Sequence, residues 1–215
     1  MITLHTWTTP NGRKASILLE ELGVPYSVRP IDLGKNEQLS PEFLAVSPNN
    51  KIPAIVDTDA EGGPLSIFES GAILTYLADK HGRFLAPKGH ARAKTLEWLF
   101  WQVGGVGPAF GQLGYFATYA SEKLPAAIER FTTESQRLLG VMDKQLASHP
   151  YLAGAEFTIA DIATYPWILG AQEHFAAQLG GAIAGKKNVA AWLERVGARP
   201  GVQRGMRIPE IAKDR

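Results

Sequence analysis

Hydrophobic and polar positions change period several times along the first eighty residues. Ile2-Thr3-Leu4-His5-Thr6-Trp7 alternates in the manner of a strand. Thr8-Thr9-Pro10-Asn11-Gly12 is a turn cluster with proline just ahead of a helical pattern. Ala15, Leu18, Leu19 and Leu22 then recur at helical spacing, and Gly23 stands where a C-cap glycine belongs. Residues 26–31 predict a second strand, 41–44 a helical turn, and Ser47-Pro48-Asn49-Asn50 a loop. Lys51-Ile52-Pro53-Ala54-Ile55-Val56 reads as a turn feeding a strand, and Leu65-Ser66-Ile67-Phe68 as another. A helix over 70–80 follows, with Ile73 and Leu77 on one face and Gly82 at its end. The predicted order is β-α-β, then α-β-β-α.

Beyond residue 82 the period is helical throughout. Residues 91–102 form an amphipathic helix, which Val103-Gly104-Gly105-Val106-Gly107-Pro108 is expected to break or kink before it resumes to about residue 119. Residues 125–148 predict a long helix with Phe131, Leu138, Met142 and Leu146 on one stripe and Pro125 in its first turn. Thr158-Ile159-Ala160-Asp161 reads as a capping box opening a helix through Tyr165-Pro166-Trp167. A last helix over 188–199 carries Val189, Trp192, Leu193 and Val196 and is closed by Pro200-Gly201. The chain divides into a mixed α/β domain over 1–82, a linker over 83–89 and an all-helical domain over 90–215.

Composition narrows the chemistry. Hydrophobic residues make up 45% and charged residues 20% of the 215, as in ordinary globular proteins. A net charge of +1 offers nothing to nucleic acid or an anionic membrane, and no window is apolar enough for a span. The start lacks a secretory pattern, so a cytoplasmic location is expected. With no cysteine, the chain has neither a disulfide nor a thiol nucleophile of its own. Sulfur chemistry would need a thiol carried in by a ligand. The five histidines, at 5, 81, 90, 149 and 174, lack metal-ligand spacing, so no metal is expected.

Two short motifs carry the candidate site. Pro53 stands where a strand should begin, although proline cannot donate to a ladder. A cis Ile52-Pro53 bond would turn the Ile52 backbone toward a ligand. Glu69-Ser70 precedes a helix, and a helix N-terminus attracts anions. Together they suggest a site that pairs with a peptide's backbone on one side and binds its carboxylate on the other.

With these motifs in that order, the chain resembles a cytosolic glutathione transferase over essentially its whole length. The resemblance rests on Ile52-Pro53, Glu69-Ser70 and Phe157-Thr158-Ile159-Ala160-Asp161. Three stretches look like the bacterial nu class, whose members act as glutathione-dependent disulfide-bond reductases. These are Thr9-Pro10-Asn11-Gly12, Ser47-Pro48-Asn49-Asn50-Lys51-Ile52-Pro53, and Trp98-Leu99-Phe100-Trp101-Gln102-Val103-Gly104-Gly105. The resemblance implies an N-terminal thioredoxin-like domain, βαβαββα, followed by the family's helical domain.

It also implies roles for single residues. Ile52 would pair with the cysteinyl backbone of glutathione, with Pro53 fixing that orientation. Glu69 would accept the γ-glutamyl ammonium, and Ser70 would donate to its carboxylate. Gln38 and Lys51 would hold the glycine end, and Arg130 would be a further contact. Thr9 and Asn11 together would activate the thiol, because no Tyr, Ser or Cys stands near the end of the first strand. Phe110, Tyr115, Phe116 and Tyr119 would line the second pocket. The implied co-substrate is glutathione, one or two per site. The implied second substrate is a small disulfide, an electrophile or a hydroperoxide, and the implied assembly a homodimer. Two alternatives stay open: a non-catalytic binding or regulatory relative, and a specialised glutathione-dependent isomerase or ether-cleaving enzyme.

Overall fold

The computed structural model describes residues 1–211, apart from the side chains of Ala176 and Gly180. The last four residues of the predicted helical domain lie outside this range. The described chain forms two compact units. One comprises Met1–Arg83 with residues 198–211, and the other Phe84–Gly197.

The first unit is built on a four-stranded sheet in the order β2-β1-β3-β4. Its strands are β1 (Ile2–Thr6), β2 (Tyr26–Pro30), β3 (Ala54–Asp57) and β4 (Leu65–Phe68). β1 runs parallel to β2, with Leu4 opposite Val28, and antiparallel to β3, with Leu4 opposite Ile55. β4 pairs antiparallel with β3, placing Phe68 opposite Ala54. The parallel pair is joined by helix α1 (Pro10–Leu22), as a parallel connection requires. The helical turn α2 (Pro41–Leu44) and helix α3 (Ser70–His81) complete a thioredoxin-like βαβαββα order. Leu4, Ile55, Leu18, Leu19, Ile73 and Leu77 have no exposed surface and form the core.

Local signals explain the helix ends. Thr9 Oγ1 accepts from Gly12 N at 3.1 Å, capping α1, and Pro10 occupies its first turn. Gly23 closes it at φ 68°, in the left-handed region. Gly12 has a second role: a Cβ there would lie 2.2 Å from Trp7 O, so only glycine lets α1 start this close to β1.

The turn read at the start of 51–56 feeds β3, which begins at Ala54. Pro53 has no N–H for the ladder, so Lys51 and Ile52 stay outside it. The Ile52–Pro53 bond is cis.

Residues from 198 onward also depart from the expected division. The helix α10 (Pro200–Gly205) packs on α1, with Ser16 Oγ donating to Gly205 O at 2.7 Å. A Cβ at Gly205 would fall 2.4 Å from Ile17 Cα. This close backbone approach draws into the first unit a segment that the helical period places in the second.

The second unit is helical: α4 (Gly89–Trp101), α5 (Gly107–Gly114), α6 (Pro125–Leu146), α7 (Ile159–His174), α8 (Ala176–Ala184) and α9 (Lys187–Gly197). The break or kink expected over 103–108 takes the form of a wide π-type turn over Gln102–Val106 leading directly into α5. The widened turn accommodates Pro108, which has no N–H to give. A second π turn spans Tyr115–Tyr119. The predicted capping box is present: Thr158 Oγ1 accepts from Ala160 N, and Asp161 Oδ2 accepts from Thr158 N. α8 has no counterpart in the sequence reading, since Ala-Ala-Gln-Leu-Gly-Gly lacks a readable stripe. Phe110, expected at an open pocket, has no exposed surface and belongs to this unit's core. Phe116 stacks on Phe131 at 5.8 Å, while Tyr115 and Tyr119 are exposed. Among the described residues no helix is long and apolar enough to cross a membrane.

Candidate active site

A cavity of about 150 Å³ opens in the first unit, lined by Asn11, Lys51, Ile52, Pro53, Phe68, Glu69 and Ser70. Four elements converge on it: the start of α1, the loop before β3, the end of β4 and the start of α3. Six of the residues singled out from sequence therefore share one wall.

The loop before β3 is held by Ser47, whose hydroxyl donates to Lys51 O at 2.9 Å. Asn50 takes φ 49°, a left-handed conformation that asparagine tolerates well. Glu69 is more unusual. It precedes α3 at φ 71° and ψ 115°, and its carboxylate makes no capping bond to the helix. It accepts instead from Asn49 Nδ2 at 3.5 Å. A non-glycine residue in this region is costly, and such residues cluster at ligand sites. The backbone here sets an exposed carboxylate beside a nearly buried serine at a helix start.

Ser70 begins α3, whose first turn contains no acidic side chain. Its Oγ accepts from Lys14 Nζ at 3.3 Å. Lys14 lies on α1 and is only 1% exposed. Burial pulls its pKa down from 10.5 to about 7, against the opposing pull of the Glu69 carboxylate. No motif marks Lys14 in the sequence. The available signal was its place four residues before Leu18, on the apolar stripe, where a lysine is out of pattern.

Other predicted residues stand elsewhere. Thr9 is not among the cavity-lining residues, and its hydroxyl is engaged as the α1 cap. Gln38 sits in a short 3₁₀ turn, Glu37–Leu39, outside the cavity wall. Its Oε1 is buried without a protein partner, and its Nε2 reaches Asn36 Oδ1 at 3.5 Å. Arg130 lies exposed on α6 in the helical unit. Phe68, which lines the cavity, was missed because an exposed aromatic at a strand end carries no chemical signature of its own. Among the described residues no cluster of potential metal ligands occurs.

The arrangement suits a small zwitterionic peptide. It presents a carboxylate for an ammonium, a hydroxyl and helix start for a carboxylate, and a free backbone edge at Ile52.

Known proteins are similar to this chain over most of its length. Residues 1–79 match the family model for the glutathione S-transferase N-terminal domain, and residues 125–195 that for its C-terminal domain. The disulfide-bond oxidoreductase YfcG of Escherichia coli (strain K12) is 46% identical over 218 residues, covering 100% of this chain and 99% of that protein. A glutathione transferase family member from Pseudomonas fluorescens, solved with two glutathione bound, superposes with a TM-score of 0.93 at 48% identity, over 97% of this chain and 93% of that one. A glutathione transferase from Pseudomonas putida, with one glutathione disulfide bound per subunit, superposes at 0.92 with 43% identity, over 97% and 91% of the two chains. The chain belongs to the glutathione S-transferase family.

Proposed function

We propose that this protein is a glutathione-dependent disulfide-bond oxidoreductase of the nu-like type, acting in the cytoplasm as a homodimer. The observation that carries the reading is the convergence of Asn11, Ile52, Pro53, Glu69 and Ser70 on one cavity in a chain without cysteine. The names of its relatives, and the glutathione and glutathione disulfide held by its structural neighbours, support it.

In this reading Glu69 receives the γ-glutamyl ammonium and Ser70 the adjoining carboxylate. The Ile52 backbone pairs with the cysteinyl residue, and Lys51 and Gln38 serve the glycine end. Arg130 is a further contact. An unperturbed thiol with a pKa of about 8.5 is only about 3% ionised at neutral pH. Asn11, in the cavity wall, and Thr9 at the start of α1 supply donors to the thiolate. Hydrogen bonds to a charged group contribute about 1.5–3 kcal/mol each, enough to lower the pKa by one to two units.

The thiolate attacks one sulfur of a small disulfide, RSSR, forming GSSR and expelling RS⁻, which takes up a proton. A second glutathione thiolate attacks the glutathione sulfur of GSSR, releasing a second RS⁻ and leaving GSSG. The net change is RSSR + 2 GSH → 2 RSH + GSSG, with glutathione oxidised and the substrate reduced. Without a cysteine, no mixed disulfide with the protein forms, so the thiol that resolves GSSR is that of a second glutathione. The same thiolate would serve conjugation or hydroperoxide reduction as side activities.

The test is steady-state turnover of a small symmetric disulfide with glutathione, reading oxidised glutathione, beside conjugation to a chlorinated nitrobenzene. Fast disulfide turnover with weak conjugation is expected. Dominant conjugation would make the protein a conventional transferase. Glutathione binding without either activity would overturn the reductase reading in favour of a binding module or a specialised isomerase or ether-cleaving enzyme.

A further inference from the structure

Lys14 has no part in the chemistry above, yet its position is costly. An ammonium at 1% exposure forfeits nearly all its hydration. An apolar side chain of similar length would fill the same place on the buried face of α1 without that cost. What sets Lys14 apart from a core residue is the direction of its head group, 3.3 Å from Ser70 Oγ at the cavity wall.

We infer that Lys14 is a positioning residue for the carboxylate of the ligand's free amino-acid end. Its ammonium donates to Ser70 Oγ, so that the single Ser70 proton turns outward to that carboxylate. Its positive charge is completed by a proton taken from solvent as the carboxylate binds. The inference rests on the glutathione reading and deepens it, by naming what lies behind Ser70 and what binding does to the protonation of the site.

The hydroxyl geometry underlies the first part. Serine has one proton and two lone pairs. A donor behind the oxygen occupies a lone pair, and the hydroxyl proton then points to an acceptor on the other side. A neutral amine could donate or accept at Ser70, whereas the ammonium can only donate. Ionisation of Lys14 therefore fixes the serine as a donor toward the cavity.

The second part follows from charge. In the empty cavity burial lowers the Lys14 pKa to about 7, and Glu69 is the charged group that opposes the shift. The Glu69 carboxylate is expected to meet the ligand ammonium, which offsets its charge. A ligand carboxylate on Ser70 adds a negative charge next to the ammonium and favours the ionised form. At about pH 8 most Lys14 is neutral before binding and more is ionised after it. The helix start alone would give Ser70 an anion preference, but it would take up no proton.

The experiment is calorimetric titration of the full chain with S-methylglutathione, in buffers of differing ionisation enthalpy at about pH 8. The blocked sulfur removes thiol ionisation from the balance. The second probe is the same peptide with γ-aminobutyrate in place of the γ-glutamyl residue, which lacks only the carboxylate. Wild type should take up a clear fraction of a proton with the first probe and less with the second. Lys14→Met should bind S-methylglutathione at least tenfold more weakly, take up no proton, and bind the decarboxylated probe as wild type does. Unchanged affinity and proton uptake in a folded Lys14→Met would overturn the inference, as would equal weakening toward both probes. Should Lys14→Met not fold, wild type still decides, because equal proton uptake with the two probes overturns the role. Failure of wild type to bind S-methylglutathione at all would instead overturn the glutathione reading on which the role rests.

Discussion

Trp192 donates its indole N–H to Asp161 Oδ1 at 2.9 Å inside the helical unit. The same oxygen accepts from Leu152 N, and Oδ2 accepts from Thr158 N and Thr158 Oγ1. One fully buried carboxylate thus holds the start of α7, the loop before it and α9. Asp161→Asn keeps the size but leaves only one acceptor atom. At least one backbone N–H, that of Thr158 or Leu152, would then face an amide N–H₂ at a cost of about 1–3 kcal/mol, and the remaining bonds would lose the carboxylate's charge. The expected result is a loss of about 3 kcal/mol in stability, read as a lowered urea midpoint. Glutathione affinity at low temperature should stay near wild type. A midpoint within error of wild type would refute the role of Asp161 as the common acceptor.

A second buried carboxylate organises the first unit. Asp57 accepts from Lys80 Nζ and from Tyr76 Oη, linking β3 to α3, and also from Asp59 N. Burial by itself would raise its pKa, but the bonds from Lys80, Asp59 N and Tyr76 outweigh that and hold it below the ordinary 3.8. A depressed acid stabilises the fold at pH above its unfolded value. That stability is lost as pH falls from there through the folded value. Asp57→Asn should therefore be less stable than wild type at neutral pH, by about 2 kcal/mol, and the difference should shrink as pH falls below 3.8 through the depressed folded pKa. Parallel stability curves for the two proteins across this acid range would contradict the assignment.

The order of elements was legible because each has its own period and its own punctuation. Gly23 and Gly82 end helices, Pro10 and Pro125 begin them, and Leu4 and Ile55 lie on strands with a buried face. Much of the candidate site was legible for a related reason: Ile52-Pro53 and Glu69-Ser70 are contiguous motifs whose departures from local rules are visible in the chain. What escaped depends on distant partners. Lys14 is out of pattern on the apolar stripe of α1, but its partner Ser70 lies fifty-six positions away. The place of α10 depends on Gly205 meeting Ile17. Nor does a glycine pair distinguish a broken helix from a π turn, because that depends on how the backbone bonds are redistributed through Gln102–Val106.

Lys14 also leaves a mark on the stability of the unliganded protein. Its pKa falls from 10.5 to about 7 on folding, so between these values the unfolded chain binds more protons than the folded one. Stability then rises with pH across this window, by at most about 1.4 kcal/mol per unit. Below it both states are protonated and the cost of the buried charge is present in full. Lys14→Met should flatten this alkaline slope and be the more stable protein near neutrality. The check is denaturant unfolding at successive pH values between these limits. Equal slopes in the two proteins would mean that Lys14 keeps an ordinary pKa on folding.

The sequence left Thr9 and Asn11 as joint candidates for thiol activation, and their surroundings separate them. Thr9 Oγ1 already accepts from Gly12 N at 3.1 Å, so its lone pairs serve α1, while Asn11 faces the cavity. The Thr9 hydroxyl still has a proton to donate, but its position is tied to the helix cap. Thr9→Ala should cost about 1 kcal/mol of stability through the lost cap, and Thr9→Ser should restore it. Asn11→Ala bears instead on the bound thiol. It should raise the pKa of bound glutathione by one to two units, the loss of one hydrogen bond to a thiolate worth about 1.5–3 kcal/mol. Ultraviolet absorbance of the bound thiolate across pH measures this directly. A thiol pKa unmoved by Asn11→Ala but raised by Thr9→Ala and restored by Thr9→Ser would give the activating bond to Thr9. A pKa unmoved by both alanine variants would remove both residues from the chemistry and leave the start of α1 as the source of thiolate stabilisation.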